Sequence, residues 1–342
     1  MFKKLSFLTT IFIGITFISG IAFGAAPFYE GKTIRIIVGY SAGGGYDTYS
    51  RVISRHMGKH IPGNPSMIVE NMTGAGSLIS ANYLYKAAKP DGLSMGHFNG
   101  GLFFNQVLEQ PGIEFDARKF EYVGVATTED CALAFSKASG ITSIDKWMAS
   151  KTPVKMGGVG PGAYAPDNVI RILKAAIGLP IQLVSGYKGT ADIRLAVESG
   201  ELAGSTWGWD SMKVTWRKSL EAGDVVVVLQ AVPKPLPDLQ KVPLTISFAK
   251  TDEARQLIEV GIHSPHKFAR PFVLPPGVPK ERVQVLRNAF EETLKDKEFL
   301  AETEKMKLGL NPFGGEELEK TVTGIFKLDP ALLAKMKDIL FK

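Results

Sequence analysis

The 342-residue chain contains one cysteine, Cys131, so no intramolecular disulfide can form; at this length the chain can bury a large core and needs no such staple. It has no run of five basic residues. The net charge of +6 is scattered and does not form the concentrated patch of a nucleic-acid binder. The G-K-[ST] of a phosphate-binding P-loop, the H-E-x-x-H of a zinc hydrolase and the G-x-S-x-G of a nucleophile elbow are all missing. Gly204 to Gly208 misses the elbow by carrying Thr206 at the nucleophile position. His56 and His60 stand at the i, i+4 spacing of a metal pair, but no third ligand accompanies them. No 20–50-residue repeat is present. Neither a metal nor any other cofactor is expected.

The amino terminus has the layout of a secretory signal. Lys3 and Lys4 precede an uncharged apolar run from Leu5 to about Phe23, and Ala22-Phe23-Gly24 is a small-x-small cleavage pattern. Residues 1–24 are therefore expected to be removed before Ala25. No later segment is long and apolar enough to span a membrane. A mature chain with one cysteine fits a bacterial periplasm better than a disulfide-rich extracellular setting.

After residue 24 the pattern alternates between strand and helix. Thr33 to Tyr40 reads as a buried strand, and Tyr46, Tyr49, Ile53 and Met57 stripe the helix that follows. Further strands are read at 67–70, 93–98, 154–156, 181–184, 225–229 and 272–274, separated by helices. This order predicts α/β architecture with mostly parallel sheets flanked by helices. Pro233, Pro235 and Pro237 exclude a central strand there and read as a crossing segment.

Two glycine-rich loops each join a strand to a helix. The first holds Ser41, Ala42, Gly43, Gly44, Gly45, Tyr46 and Asp47; the second runs through Gly158, Val159, Gly160, Pro161 and Gly162 to Ala163 and Tyr164. Free N–H groups and the helix dipole at such a junction favour an anion, and glycine lets it approach the backbone. Either loop alone is also a plausible tight turn. Gly158 to Ala163 fits G-x-G-x-x-A, but the next strand ends in Leu183-Val184-Ser185-Gly186 without the acid that a dinucleotide site needs. Asp47 reads as a helix cap, Arg51 as an ion-pair residue and Cys131 as a small core residue. Trp207 and Trp209, with Tyr46 and Tyr164, form either an aromatic wall or part of a core.

Taken in order, these segments resemble the solute-binding proteins of tripartite tricarboxylate transporters, the Bug type. Ala42-Gly43-Gly44-x-x-Asp47-x-x-x-Arg51 resembles the family's P-G-G-x-x-D-x-x-A-R motif, and Asn71-x-x-Gly74-Ala75-Gly76 its N-R-P-G-A-G loop. Pro90-Asp91-Gly92 and Tyr187-Lys188-Gly189-Thr190 resemble its P-D-G-Y and Y-K-G segments, and the agreement in order runs from about Phe28 to Gly315. The resemblance implies a two-lobed periplasmic binding protein fold, type II-like, with residues 25–126 and 231–342 in one lobe and 127–230 in the other. It implies a small organic carboxylate held between the lobes by backbone amides and water, delivered by a monomer to integral-membrane permease subunits. It also implies that Asp47 orients ligand or water. Departures cluster at the implied site. The family's histidine after the second loop is missing, and its V-D-x-x-F pattern is replaced by 202–210, which brings Trp207, Trp209 and Asp210. Two other readings are a ligand-presenting sensor component and an exported enzyme acting on a carboxylate. The latter is disfavoured because no nucleophile–base set is present.

Intact-mass measurement of the exported protein is expected to find a chain beginning at Ala25. Recovery of the full-length chain alone, in the membrane fraction, would contradict that reading.

Overall fold

Ile34, Ile36, Ile37 and Val38 are fully buried in β1 (Thr33–Val38), the continuous apolar run expected of a strand covered on both faces. Parallel to it lie β2 (Ser66–Asn71) and β3 (Ser94–His97). The computed structural model describes residues 27–342, so the signal-peptide reading lies outside the described residues. The first sheet is completed by β4 (Glu121–Val125), β10 (Pro271–Leu274) and β11 (Phe313–Gly314), in the order β11-β4-β10-β3-β1-β2. The second holds β5 (Cys131–Ser136), β6 (Val154–Gly157), β7 (Ile181–Val184), β8 (Gly204–Gly208) and β9 (Val225–Ala231), in the order β7-β6-β8-β5-β9.

Both sheets are mixed, with most strands in each running in one direction and the rest reversed. β10 runs antiparallel to β3 and β4, and β5 runs antiparallel to β8 and β9. The reason lies in the connections. β5 and β10 are the strands by which the chain enters each sheet from the other one, so they run away from the seam while their neighbours run toward it. The carboxyl ends of β1, β2, β3, β6, β7 and β8 consequently face the seam, where open α/β sheets bind ligands.

The helix Gly45–Met57 buries Tyr46, Tyr49, Val52, Ile53 and Met57, the stripe that its spacing predicts. After β8 the chain forms two short helices, Trp209–Thr215 and Arg217–Glu221, that break at Trp216. β4, β5, β8 and β11 were not anticipated, because 121–136 is apolar without a sharp period and 204–208 is rich in glycine and tryptophan.

The proline-rich segment does not carry the chain back to the first sheet. The Gln230 side chain donates to the carbonyls of Leu239 (2.9 Å) and Val242 (2.6 Å) and accepts from the Leu236 amide (2.9 Å), which pins 236–242 to the end of β9. The helix Asp252–Ile258 then packs on Val169–Ile177, and the chain rejoins the first sheet at Pro271. Crossing segments 126–130 and 264–270 lie side by side, joined by the Glu129 amide donating to the His266 carbonyl at 3.0 Å.

Gly100 secures the second crossing. Its amide donates to the Ala269 carbonyl at 2.8 Å, and a Cβ there would drive into the Phe268 carbonyl oxygen. Gly100→Ala is expected to lower unfolding free energy by about 1–3 kcal/mol, the usual range for overpacking. Urea denaturation checks this; an unchanged midpoint would show that the crossing does not sit against Gly100.

Candidate functional site

The first glycine loop is held by its own aspartate. The Asp47 carboxylate accepts from the Gly43 amide (2.9 Å), Arg51 Nε (2.9 Å) and Asn71 Nδ2 (3.0 Å). Burial works to raise its pKa, but these donors outweigh burial and hold it below the usual carboxylate range. Asn71 also donates to the Tyr40 carbonyl at 2.8 Å, tying the loop at the end of β2 to the loop at the end of β1. The two motifs around Asp47 and Asn71 are thus one hydrogen-bonded unit. The helix that begins at Gly45 has no side-chain cap on its N-terminus.

The second loop is arranged differently from the expectation of two equivalent amide donors. The Val159 and Gly160 amides donate to the Asp167 carboxylate at 2.7 and 3.1 Å, and Ser185 Oγ donates to its other oxygen at 2.5 Å. Burial raises the Asp167 pKa against the pull of these bonds. An internal carboxylate therefore occupies the place foreseen for an anion on Val159 and Gly160. The rest of this loop forms the seam between the lobes. Asn99 and Asn105 donate to the Gly162 carbonyl at 2.8 and 2.7 Å, the Tyr164 amide donates to Asn99 Oδ1 at 3.2 Å, and a Cβ on Gly160 would lie 3.1 Å from the Gly76 amide nitrogen. Across the same seam, Ser41 Oγ donates to Asp192 at 2.6 Å and the Ser41 amide to the Lys188 carbonyl at 3.1 Å.

Between the loops lies a small enclosed cavity of about 10 Å³, room for roughly one water. Gly44, Gly45, Tyr46, Val159 and Trp207 from the expected set line it, together with Tyr40, Glu129, Ala165, Pro166, Thr190 and Arg270. Tyr40 and Val159 also line an adjoining open groove of about 360 Å³ that includes Gly160, Pro161 and the 185–188 segment. Thr190 begins the helix Thr190–Glu198, so helix N-termini from both lobes reach the cavity. Ser41, Gly43 and Asp47 support the first loop from behind, and Ala42 sits within it; Gly158, Gly162 and Ala163 support the second.

Tyr164 is not at the cavity. It is buried, with its hydroxyl donating to the Ile262 carbonyl at 2.6 Å. Trp209 donates through Nε1 to Asp238 at 3.1 Å, and Asp210 pairs with Lys213 at 3.0 Å, so neither joins Trp207 in a wall. The end of the strand explains the division: the two-residue alternation that would put Trp207 and Trp209 on one face stops at Gly208, and Trp209 starts the next helix. Trp216 stacks on Trp207 with ring centroids 5.1 Å apart. A larger groove of about 950 Å³ along the seam is lined by surface side chains such as Arg194, Arg217 and Lys305 and contains neither glycine loop.

Glu129 and Arg270 went unnoticed in the sequence. They form an ion pair through Arg270 Nε and Glu129 Oε2, each side chain only 3% exposed. The other Glu129 oxygen accepts from the Gly208 amide at 2.5 Å, and the guanidinium lies over the rings of Tyr46 (4.9 Å) and Tyr49 (5.3 Å). Burial acts to lower the Arg270 pKa, but Glu129 more than offsets it and the side chain stays charged. The available signal was a charged residue directly beside each entering strand: Glu129 two residues before β5 and Arg270 immediately before β10.

The chain has the two-lobed fold seen in periplasmic binding proteins. The periplasmic binding protein BugD superposes with a TM-score of 0.72, covering 91% of this chain and 98% of its own at 19% identity. R. palustris Rpa4515, determined with adipate, gives a TM-score of 0.72 over 90% of this chain and 97% of its own, at 20% identity. In sequence, the UPF0065 protein of the TAR-I ttuE-ttuC' intergenic region of Agrobacterium vitis is 31% identical over 172 residues, 48% of this chain and 47% of that protein. The chain spans less than half the length of the curated relatives it matches. No protein-family model matches it.

His97, at the end of β3, lies behind Tyr46 (ring centroids 4.8 Å apart), stacked on Phe272 at 4.0 Å with Nδ1 3.1 Å from the Pro271 carbonyl. Burial, reinforced by the nearby Arg270 charge, pushes its pKa down to about 3. The folded state therefore binds fewer protons than the unfolded chain below about pH 6.5. The stabilisation is complete above that pH and falls as pH drops toward the folded pKa, by up to about 1.4 kcal/mol per unit. Denaturant titrations at pH 7.5 and 5 should show a larger stability loss for the wild type than for His97→Gln. Equal losses would mean that His97 protonates freely in the fold.

Proposed function

We propose that the chain is an exported binding protein that captures a small organic carboxylate between its lobes and presents it to membrane permease subunits. The observation that carries this reading is the convergence of two uncapped helix N-termini, at Gly45 and Thr190, on one interlobe cavity lined by Arg270 and Trp207. The fold supports it, as does the adipate held by the similarly folded Rpa4515. A cavity of about 10 Å³ is too small for such a ligand, so capture requires the lobes to part and close again. The chain acts in this reading as a monomeric carrier in the periplasm and not as an enzyme. Its thiol, Cys131, is fully buried with its pKa pushed up by burial, and the nearest carboxylate, Glu129, is engaged by Arg270.

Thermal-shift screening of the mature chain with C4–C8 dicarboxylates and aromatic acids tests the proposal. A ligand at 100 times its Kd should add about 2.7 kcal/mol of stability. In Gly44→Val, the new side chain would press on Thr190 Oγ1, which lies 2.9 Å from the Cβ position, and on the anion's approach to the helix. Its affinity should fall roughly ten- to a hundredfold, the loss of one charge-assisted hydrogen bond. The proposal fails if no carboxylate shifts the melt, or if folded Gly44→Val binds like the wild type.

A further inference from the structure

Arg270 has a face that the fold leaves unused. Its Nε is engaged by Glu129, yet Nη1 is buried and has no hydrogen-bond partner among the described residues. Among the described residues, the Trp207 Nε1 and Tyr40 hydroxyl, from two other cavity-lining residues, are also buried without partners. Indole and guanidinium nitrogens are donors only, so the group that satisfies them must bring acceptor oxygens. A buried donor left unpaired costs about 1–3 kcal/mol, which makes three around one cavity an expensive arrangement unless something completes it.

Space around the guanidinium is reserved as well. A Cβ at Gly45 would lie 3.2 Å from Arg270 Nη2 and one at Gly208 would lie 3.0 Å from it. The third glycine of the first loop thus makes room for an arginine from the second crossing, in addition to freeing a helix terminus. Glu129 fixes the guanidinium from one edge, and the rings of Tyr46 and Tyr49 support its plane. That leaves the Nη1 side to form the charge-assisted hydrogen bonds for which guanidinium groups are suited.

We infer that Arg270 is the direct anchor of the ligand's carboxylate, with Glu129 as the residue that positions it. This rests on the reading of the interlobe cavity as a carboxylate site. The anchor makes recognition depend on a fixed cation as well as on loop amides. Because Glu129 already balances part of the Arg270 charge, the two helix N-termini and the Trp207 and Tyr40 donors share the ligand's charge with the guanidinium.

The test uses the mature chain, calorimetry, and adipate with its uncharged diamide as probes. Wild type should bind adipate and not the diamide. Arg270→Lys keeps a charge for Glu129 to balance but loses the guanidinium fork, so adipate affinity should fall more than about tenfold in a folded protein. Glu129→Gln combined with Arg270→Gln removes both buried charges together, which protects the fold, and should weaken adipate binding roughly a hundredfold. An ion pair that serves only the crossing predicts the opposite pattern, with both folded variants binding adipate within threefold of wild type. Should the double variant not fold, Arg270→Lys alone decides: a loss beyond tenfold supports the anchor, and a smaller change overturns it. A folded double variant binding adipate within threefold of wild type overturns it too. Wild type that binds no carboxylate of the C4–C8 series would instead remove the carboxylate reading of the cavity, and the anchor with it.

Discussion

Glu129 and Arg270 sit on the two chain segments that pass between the sheets, and their ion pair is where the lobes and the crossings meet. Arg270 rests on Tyr46 and Tyr49 of the first lobe, while Glu129 takes the Gly208 amide at the end of a second-lobe strand. Removing one partner of a buried pair of this kind costs about 3–5 kcal/mol, because the survivor is left charged and dry. Such a pair is weak evidence for stability compared with an apolar substitute, but it imposes a geometry that an apolar contact would not. The Gly208 amide and the Tyr46 and Tyr49 rings of the Gly45–Met57 helix all meet at it.

The two glycine loops look alike in sequence and behave differently in the fold. Each is stabilised by an aspartate a few residues downstream. Asp47 takes the Gly43 amide and leaves the helix terminus at Gly45 uncapped, whereas Asp167 takes both Val159 and Gly160 amides. The first loop therefore presents backbone to the cavity, while the second presents the Val159 side chain and turns its remaining polar groups toward Asn99 and Asn105. Shared glycine content marks flexible backbone; which amides stay free is decided by the nearest buried carboxylate.

Much of the fold was legible in the sequence because it rests on local rules. The apolar run of β1, the helical stripe from Tyr46 to Met57 and the glycine punctuation after each strand are all visible within ten residues. The reversed strands β5 and β10 were not, since direction follows from which sheet a strand enters. The return point was misplaced at the prolines because the hold exerted by Gln230 on 236–242 is a tertiary contact. Of the residues lining the interlobe cavity, Gly44, Gly45, Tyr46, Val159 and Trp207 stand out in the sequence by loop position and aromatic content. Glu129 and Arg270, 141 residues apart, look like ordinary surface charges until the crossings bring them together. Tyr164 and Trp209 were assigned to the site by composition, and their backbone positions direct them elsewhere.

The seam along Gly162 and Ser41 has a consequence for the energy of opening. Several of its bonds to those two residues, from Asn99, Asn105 and Ser41 itself, join polar groups that water can serve nearly as well. Exchanging an internal hydrogen bond for a hydrated one changes free energy by only about 0.5–1.5 kcal/mol. In the proposed opening, the polar part of the seam therefore costs little. The apolar side chains packed across the same seam resist parting in proportion to their area, so in the proposed opening they, and not the asparagine bonds, set most of the cost.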